Sequence, residues 1–267
     1  MPDTTYSHGH GDGVLRSHRW RTAANSAAYL LPHLSPGDTV LDVGCGPGTI
    51  TCDLARAVSP GPVVGVDAAE AVVAEARERA VGVPGVTFEV ADLFALPYAD
   101  DSFDVVHAHQ VLQHVADPVA VLRAMAARCA PGGLVAARDG DYSAFAWFPR
   151  LPELDRWLAL YRQAARANGG EPDAGPRLAG WARQAGLTDV TTTASTWCFA
   201  TDDDRAWWGG MWAERILSSA LTRQLLDTGL STQTELAEIS AAWRRWAADT
   251  DGVFFVTHGE ILCRVSA

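Results

Sequence analysis

The sequence predicts an α/β fold: a seven-stranded, mostly parallel sheet with helices on both faces, plus an N-terminal helical cap and a second one in the C-terminal half. Three observations carry that expectation. From Asp38 to Asp141, short apolar runs alternate with amphipathic segments, the pattern of strand–helix–strand crossovers. After Asp141 the alternation stops and aromatic-rich helical patterns take over. Only two strand-like runs remain there, and a long helical stretch separates them.

In chain order, VLRSHRWRTAANSAAYLLPHL reads as one or two helices preceding the first strand. The runs TVLDVG, PVVGVDA, VTFEVAD, FDVVHAHQ and GGLVAARDG follow, near-continuous in Val, Leu and Ala as in parallel strands buried on both faces. Between them TITCDLARAVS, EAVVAEARERAVG and DPVAVLRAMAARCA place apolar residues at i, i+3 and i+4, the spacing of a one-sided helix. LPELDRWLALYRQAARANGG, PRLAGWARQAGL, DDRAWWGGMWAERILSSALTRQLL and TQTELAEISAAWRRWAAD are the later helices. DVTTTASTWCFAT and GVFFVTHGEILCRV complete the strands. The expected organisation is one domain, 1–267. It divides into an N-terminal lid (1–33), a ligand-binding core (34–141), helical insertions (142–177 and 203–250), and the remaining helix and strands (178–202 and 251–267).

The chain has 267 residues, 48% of them hydrophobic and 20% charged, enough to bury a full core and ordinary for a globular protein. Its 21 Lys and Arg face 32 Asp and Glu, a net charge of −11 that disfavours a nucleic-acid partner. No run resembles a signal sequence or a membrane span, so a cytoplasmic location is expected. Five scattered cysteines show neither zinc spacing nor a disulfide framework and are expected to be reduced and mostly buried.

VLDVGCGPGT, Val40 to Thr49, is the strongest local signal. Gly44, Gly46 and Gly48 allow a sharp strand-to-helix turn and a close approach of backbone to ligand. A plain turn would account for the glycines alone. Asp67 ends the next strand about twenty residues on, where a carboxylate can accept two ribose hydroxyls or merely cap the following helix. Asp92, after the third strand, is open to a similar choice between a ligand contact and a turn.

The G-x-G-x-G spacing, with Asp42 two residues before Gly44, resembles motif I of class I S-adenosylmethionine-dependent methyltransferases. The stretch from Asp92 through Leu96, Pro97, Asp101, Ser102, Phe103 and Asp104 resembles the menaquinone- and ubiquinone-biosynthesis C-methyltransferases and their secondary-metabolite relatives, and so does APGGLVA. The resemblance covers about Ser35 to Asp141. It implies a Rossmann-like fold and S-adenosylmethionine as methyl donor, with S-adenosylhomocysteine as product. The donor-binding set it implies is Asp42, Gly44, Cys45, Gly46, Asp67, Ala68, Asp92 and Leu93, with His109, Gln110 and Arg21. A nicotinamide-dependent oxidoreductase is the rival enzyme class, but its loop would place a third glycine where Thr49 stands. A donor-binding subunit without catalysis is the other alternative.

On the acceptor side, HAHQVLQHV supplies His109 and His114 as candidate general bases. RDGDYSAFAWF places Asp141, Tyr142 and Trp147 at the carboxyl edge of the sheet, where open α/β sheets bind ligands. Nine of the ten tryptophans lie from Trp147 onward, and Trp208 and Trp212 share a helix face. That face reads as an apolar substrate cap, an ordinary core or a homodimer interface. Tyr6 and His18 join the substrate-side candidates through the N-terminal lid. The HGH at His8 to His10 has no third ligand in reach, so no metal site is expected. The expected acceptor is a small molecule, aromatic, quinone-like or otherwise a secondary metabolite.

Overall fold

Five parallel strands form the first half of the sheet in the order β3-β2-β1-β4-β5: β1 (Val40–Val43), β2 (Val63–Asp67), β3 (Val86–Val90), β4 (Phe103–His109) and β5 (Cys129–Gly140). The computed structural model describes residues 20–266, so Tyr6, His8, His10 and His18 lie outside the described residues. Leu41 on β1 stands opposite Val64 of β2 and Val106 of β4. Alternate residues of one strand reach opposite faces. Val40 joins Ile50 and Leu54 of α2 (Thr49–Val58) on one face. Leu41 joins Leu122 and Met125 of α4 (Pro118–Arg128) on the other. Helices on both faces therefore account for the unbroken apolar runs. The chain winds outward from β1 through β2, α3 (Glu70–Arg79) and β3, then returns to set β4 on the other side of β1. That reversal opens a crevice at the carboxyl ends of β1 and β4.

β8 (Val253–Arg264) runs antiparallel to both β5 and β7 (Asp189–Phe199). The seven expected strands are all present. An eighth, β6 (Ala146–Phe148), pairs Trp147 with Phe254 and continues the edge of β8 that β5 occupies. It is three residues long, too short to show a period in sequence. The described part of the N-terminal helix is reduced to α1 (Ala23–Ser26) and a 3₁₀ turn at Leu31–His33, where Pro32 interrupts regular helix.

The later helices are α5 (Pro152–Ala167), α6 (Leu178–Gln184), α7 (Asp202–Ser218), α8 (Ala220–Asp227) and α9 (Gln233–Ala248). One continuous helix was expected where α7 and α8 stand. Ser219 divides them: its side chain accepts from the Thr222 amide while the Thr222 hydroxyl accepts from the Ser219 amide, a reciprocal N-terminal cap. α5, α7 and α9 enclose an aromatic core centred on Trp157, whose ring meets Trp212 edge-on at 4.6 Å and Trp243 at 4.9 Å. Among the described residues no helix is long and apolar enough to cross a membrane.

Candidate functional site

A cleft of about 690 Å³ opens along the carboxyl ends of β1, β2 and β4. The loop between β1 and α2 forms its floor. Gly46 sits at φ +56° with open space where a Cβ would stand, so the backbone itself faces the cleft. Gly44, at φ +67°, would drive a Cβ to 2.5 Å from Val111 Cγ2 in the segment after β4. Both positions therefore need glycine, for conformation and for closeness respectively.

Asp67 holds this loop in place. Its Oδ2 accepts from the Gly46 amide at 3.1 Å and its Oδ1 from the Ala69 amide at 3.0 Å. Each oxygen keeps a second lone pair for a ligand hydroxyl. Ala68 lines the cleft beside it. Asp92 accepts from the Phe94 amide through Oδ1 at 2.9 Å, capping the short turn that carries Leu93, and both residues line the same wall. Cys45 lines the cleft with its thiol pushed far up by burial and by the negative charges of Asp42 and Asp67, so it stays protonated. Asp42 lines the same cleft and is also tied into the protein. Its Oδ1 meets His107 Nδ1 at 2.8 Å and its Oδ2 accepts from Thr51 Oγ1 at 2.5 Å. Buried between β1, β4 and α2, it braces the loop.

Arg21, His109, Gln110 and His114 line the opposite end of the same cleft. The histidines there are not equivalent. His114 Nε2 faces Gln113 Nε2 at 3.0 Å, and the Gly140 amide donates to Gln113 Oε1 at 2.8 Å. A backbone N–H only donates, so the Gln113 amide is oriented and His114 Nε2 must accept. The proton of neutral His114 therefore sits on Nδ1, which makes this side chain a donor. Burial and Arg21 lower its pKa to about 3. His109 differs: both ring nitrogens are buried and without a hydrogen-bond partner among the described residues. Burial, then Arg138 and Arg21, hold its pKa well below the ordinary histidine value, so the ring is neutral.

A buried polar group stands behind His109. Arg138 Nε donates to Glu260 Oε1 at 3.2 Å and to Ser195 Oγ at 3.1 Å, and Arg138 Nη2 meets His258 Nδ1 at 3.0 Å. Thr193 donates to Glu260 Oε2 at 2.7 Å. The guanidinium also lies over the Trp197 ring, 4.9 Å from its centroid. Trp197 Nε1 donates to the Asn25 carbonyl at 2.6 Å, tying the N-terminal segment to β7. The sequence carried a signal for this group in THGE within β8, since charge inside a strand covered on both faces needs a partner.

The remaining substrate-side candidates lie elsewhere. Asp141 accepts from Ser143 and caps the turn after β5. Tyr142 stacks on Phe145 and Tyr161 at 4.4 and 4.3 Å. Trp147 stacks on Phe254, Trp208 on Phe199, and Trp212 is enclosed with Trp157 and Trp243. None of these five lines the cleft. A helix face of tryptophans has the same spacing whether it covers a substrate or fills a core, which is why periodicity could not separate the two.

These buried groups make stability pH-dependent. His109, His114 and His258 refuse protons that the unfolded chain takes up below about pH 6.5, so each withdraws stability as the pH falls, by about 1.4 kcal/mol per unit. Asp139 opposes them, because burial pushes its pKa up to about 7. Between about pH 4 and 7 the folded form keeps a proton that the unfolded carboxylate releases. Three groups outweigh one, and the urea midpoint is expected to fall between about pH 7.5 and 5.5. A midpoint that rose would contradict the burial of these rings.

A family model described as "Methyltransferase domain" matches residues 34–192. The chain is 34% identical to an uncharacterized methyltransferase of Schizosaccharomyces pombe across 96% of this chain and 95% of that protein. It is 41% identical to the 27-O-demethylrifamycin SV methyltransferase of Amycolatopsis mediterranei over 42% of each chain. The crystal structure of the YcgJ protein from Bacillus subtilis shares the fold at 20% identity, covering 90% of this chain and 97% of that one, with a TM-score of 0.56. The glycine loop, the acidic strand ends behind it and the full-length likeness agree, and the chain belongs to the methyltransferase-domain family as a class I S-adenosylmethionine-dependent methyltransferase.

Proposed function

We propose that the protein methylates a small-molecule acceptor, with the nucleoside part of the donor against Asp67, Asp92 and Leu93 and the reacting end against His109. The observation that supports this most is the position of His109: a neutral, buried imidazole, without a hydrogen-bond partner among the described residues, on the same cleft as the glycine loop and Asp67. Bound there, S-adenosylmethionine supplies a methyl carbon activated by a positively charged sulfur. Gly46 admits the ligand to backbone distance, and the second lone pairs of Asp67 receive the ribose hydroxyls. His109 takes up the proton that the acceptor nucleophile releases, and His114 serves as a hydrogen-bond donor in place of the second base first expected. Arg21 and the segment from residue 20 to 33 close the cleft, while the helices after Asp141 act as a rigid support behind it.

The 27-O-demethylrifamycin SV methyltransferase has a small molecule in its name and matches 42% of this chain, which supports the same acceptor class here. A net charge of −11 favours that class over nucleic acid, and we place the enzyme in the cytoplasm.

Asp67→Ala tests the donor assignment. Loss of a charge-assisted hydrogen bond of about 1.5–3 kcal/mol should weaken S-adenosylmethionine and S-adenosylhomocysteine alike, by roughly 10- to 100-fold in calorimetry. Unchanged affinity in a folded variant would refute the ribose contact. Incubating the wild-type chain with methyl-labelled donor and a metabolite extract should transfer label to a small molecule. Tight donor binding without any transfer would favour the catalytically inactive subunit instead.

A further inference from the structure

Gln110 follows β4 at the edge of the cleft and holds a positive φ of 54°, a conformation that glycine adopts far more readily. The structure keeps it there from two sides. Its amide donates to the Arg138 carbonyl at 2.7 Å, and its side-chain Nε2 lies 2.9 Å from His258 Nε2. The hydrogen-bond logic of that second contact can be followed inward from Glu260. The Glu260 carboxylate fixes the Arg138 guanidinium, and the guanidinium can only donate. Arg138 Nη2, 3.0 Å away, therefore requires the lone pair of His258 Nδ1. A neutral His258 then carries its proton on Nε2 and donates it toward Gln110. Nitrogen and oxygen of a glutamine amide are interchangeable by a half-turn, and here the oxygen must face His258. The NH2 group is left on the side turned away from His258, on a residue that lines the cleft.

We infer that Gln110 reads the acceptor through this NH2 group, that Arg138 and His258 are the positioning residues that orient it, and that the acceptor carries an oxygen hydrogen-bond acceptor (carbonyl, carboxylate or phenolate) at the His109 end of the cleft. The inference rests on the cleft being the methyl-transfer site. The groups around His258 are consistent with the tautomer. Burial, then Arg138 on β5 and Arg21 on the N-terminal segment, oppose a second proton on the ring, which also packs against Trp197 of β7 at 4.3 Å. The competing acceptor is the Val256 backbone, whose hydrogen bond to the ring favours a second proton.

The test uses the full-length chain, labelled with ¹⁵N and saturated with S-adenosylhomocysteine. His258→Gln and Gln110→Glu serve to assign the two side-chain signals. His258 should be an Nε2–H imidazole with no titration from about pH 6 to 8. Benzoate, as an oxygen-bearing probe, should shift the Gln110 NH2 protons, and benzylammonium should not. Gln110→Glu keeps an acceptor for His258 but loses the donor, so it should bind benzoate at least about tenfold more weakly, with S-adenosylhomocysteine affinity within about threefold. An Nδ1–H tautomer, a response to benzylammonium instead, or no response to either probe overturns the inference. So does a Gln110 shift complete on S-adenosylhomocysteine alone, which would give the amide to the donor carboxylate. Failure of S-adenosylhomocysteine to bind the wild-type chain would instead refute the underlying reading of the cleft.

Discussion

His109→Gln is expected to lower acceptor turnover by a factor of about 10²–10⁴, the usual worth of a positioned proton-transfer group. Glutamine retains length and hydrogen bonding but takes no proton at neutral pH, which separates the chemical role from the packing role. Donor affinity should stay within about tenfold, because an uncharged side chain is exchanged for another on one wall of the cleft. The effect should therefore be found in kcat at saturating donor. The depressed pKa adds a second signature. With the ring already neutral, wild-type turnover should not fall between about pH 8 and 6 through titration of this residue, whereas an unperturbed histidine would halve the active fraction near pH 6.5. A His109→Gln enzyme within about threefold of wild type would mean that the acceptor sheds its proton unaided, and that the imidazole only shapes the site.

Trp212→Ala is expected to remove about 3–5 kcal/mol of stability, as aromatic-to-alanine changes in cores do. Trp212 is only 2% exposed. It meets Trp157 edge-on, stacks with Trp243 at 6.1 Å, and carries the Arg215 guanidinium 4.7 Å above its ring. Few neighbours can collapse into such a void, since the surrounding rings are themselves locked against one another. Set against a typical total of about 5–15 kcal/mol, the loss should move the urea midpoint sharply. A substrate-facing tryptophan would behave the other way, with a change of less than about 1 kcal/mol in stability and a selective loss in acceptor kinetics. That second outcome would return Trp212 to the acceptor wall.

The donor half was legible because each of its signals has a local cause. A left-handed turn demands glycine at 44 and 46, a strand end places Asp67 beside that turn, and double-sided burial writes itself into β1 and β4 as apolar runs. The polar group behind His109 was less legible because its defining relations are long-range. Arg138 meets Glu260 more than a hundred positions away, and nothing near either residue announces the other. The division of His109 from His114 depended on Gln113, whose amide is oriented by the Gly140 backbone, a contact that only the fold supplies. Two local signals were open to a closer reading. Ser219 and Thr222 carry the hydroxyls of a helix cap inside what looked like one helix, and the charged pair in HGE stands inside an otherwise apolar strand.

β8 pairs with β5 on one side and β7 on the other, yet follows β5 in sequence by about 110 residues. On a ribosome adding about 5–20 residues per second, β5 waits roughly 6–20 s for its neighbour. Through that interval its outer edge presents bare amides and carbonyls on a strand of Leu, Val and Ala, the kind of template that recruits other nascent chains. Yield on overproduction should therefore depend on how fast translation crosses the tryptophan-rich stretch, and slower codons placed there should raise the insoluble fraction without altering a single amino acid.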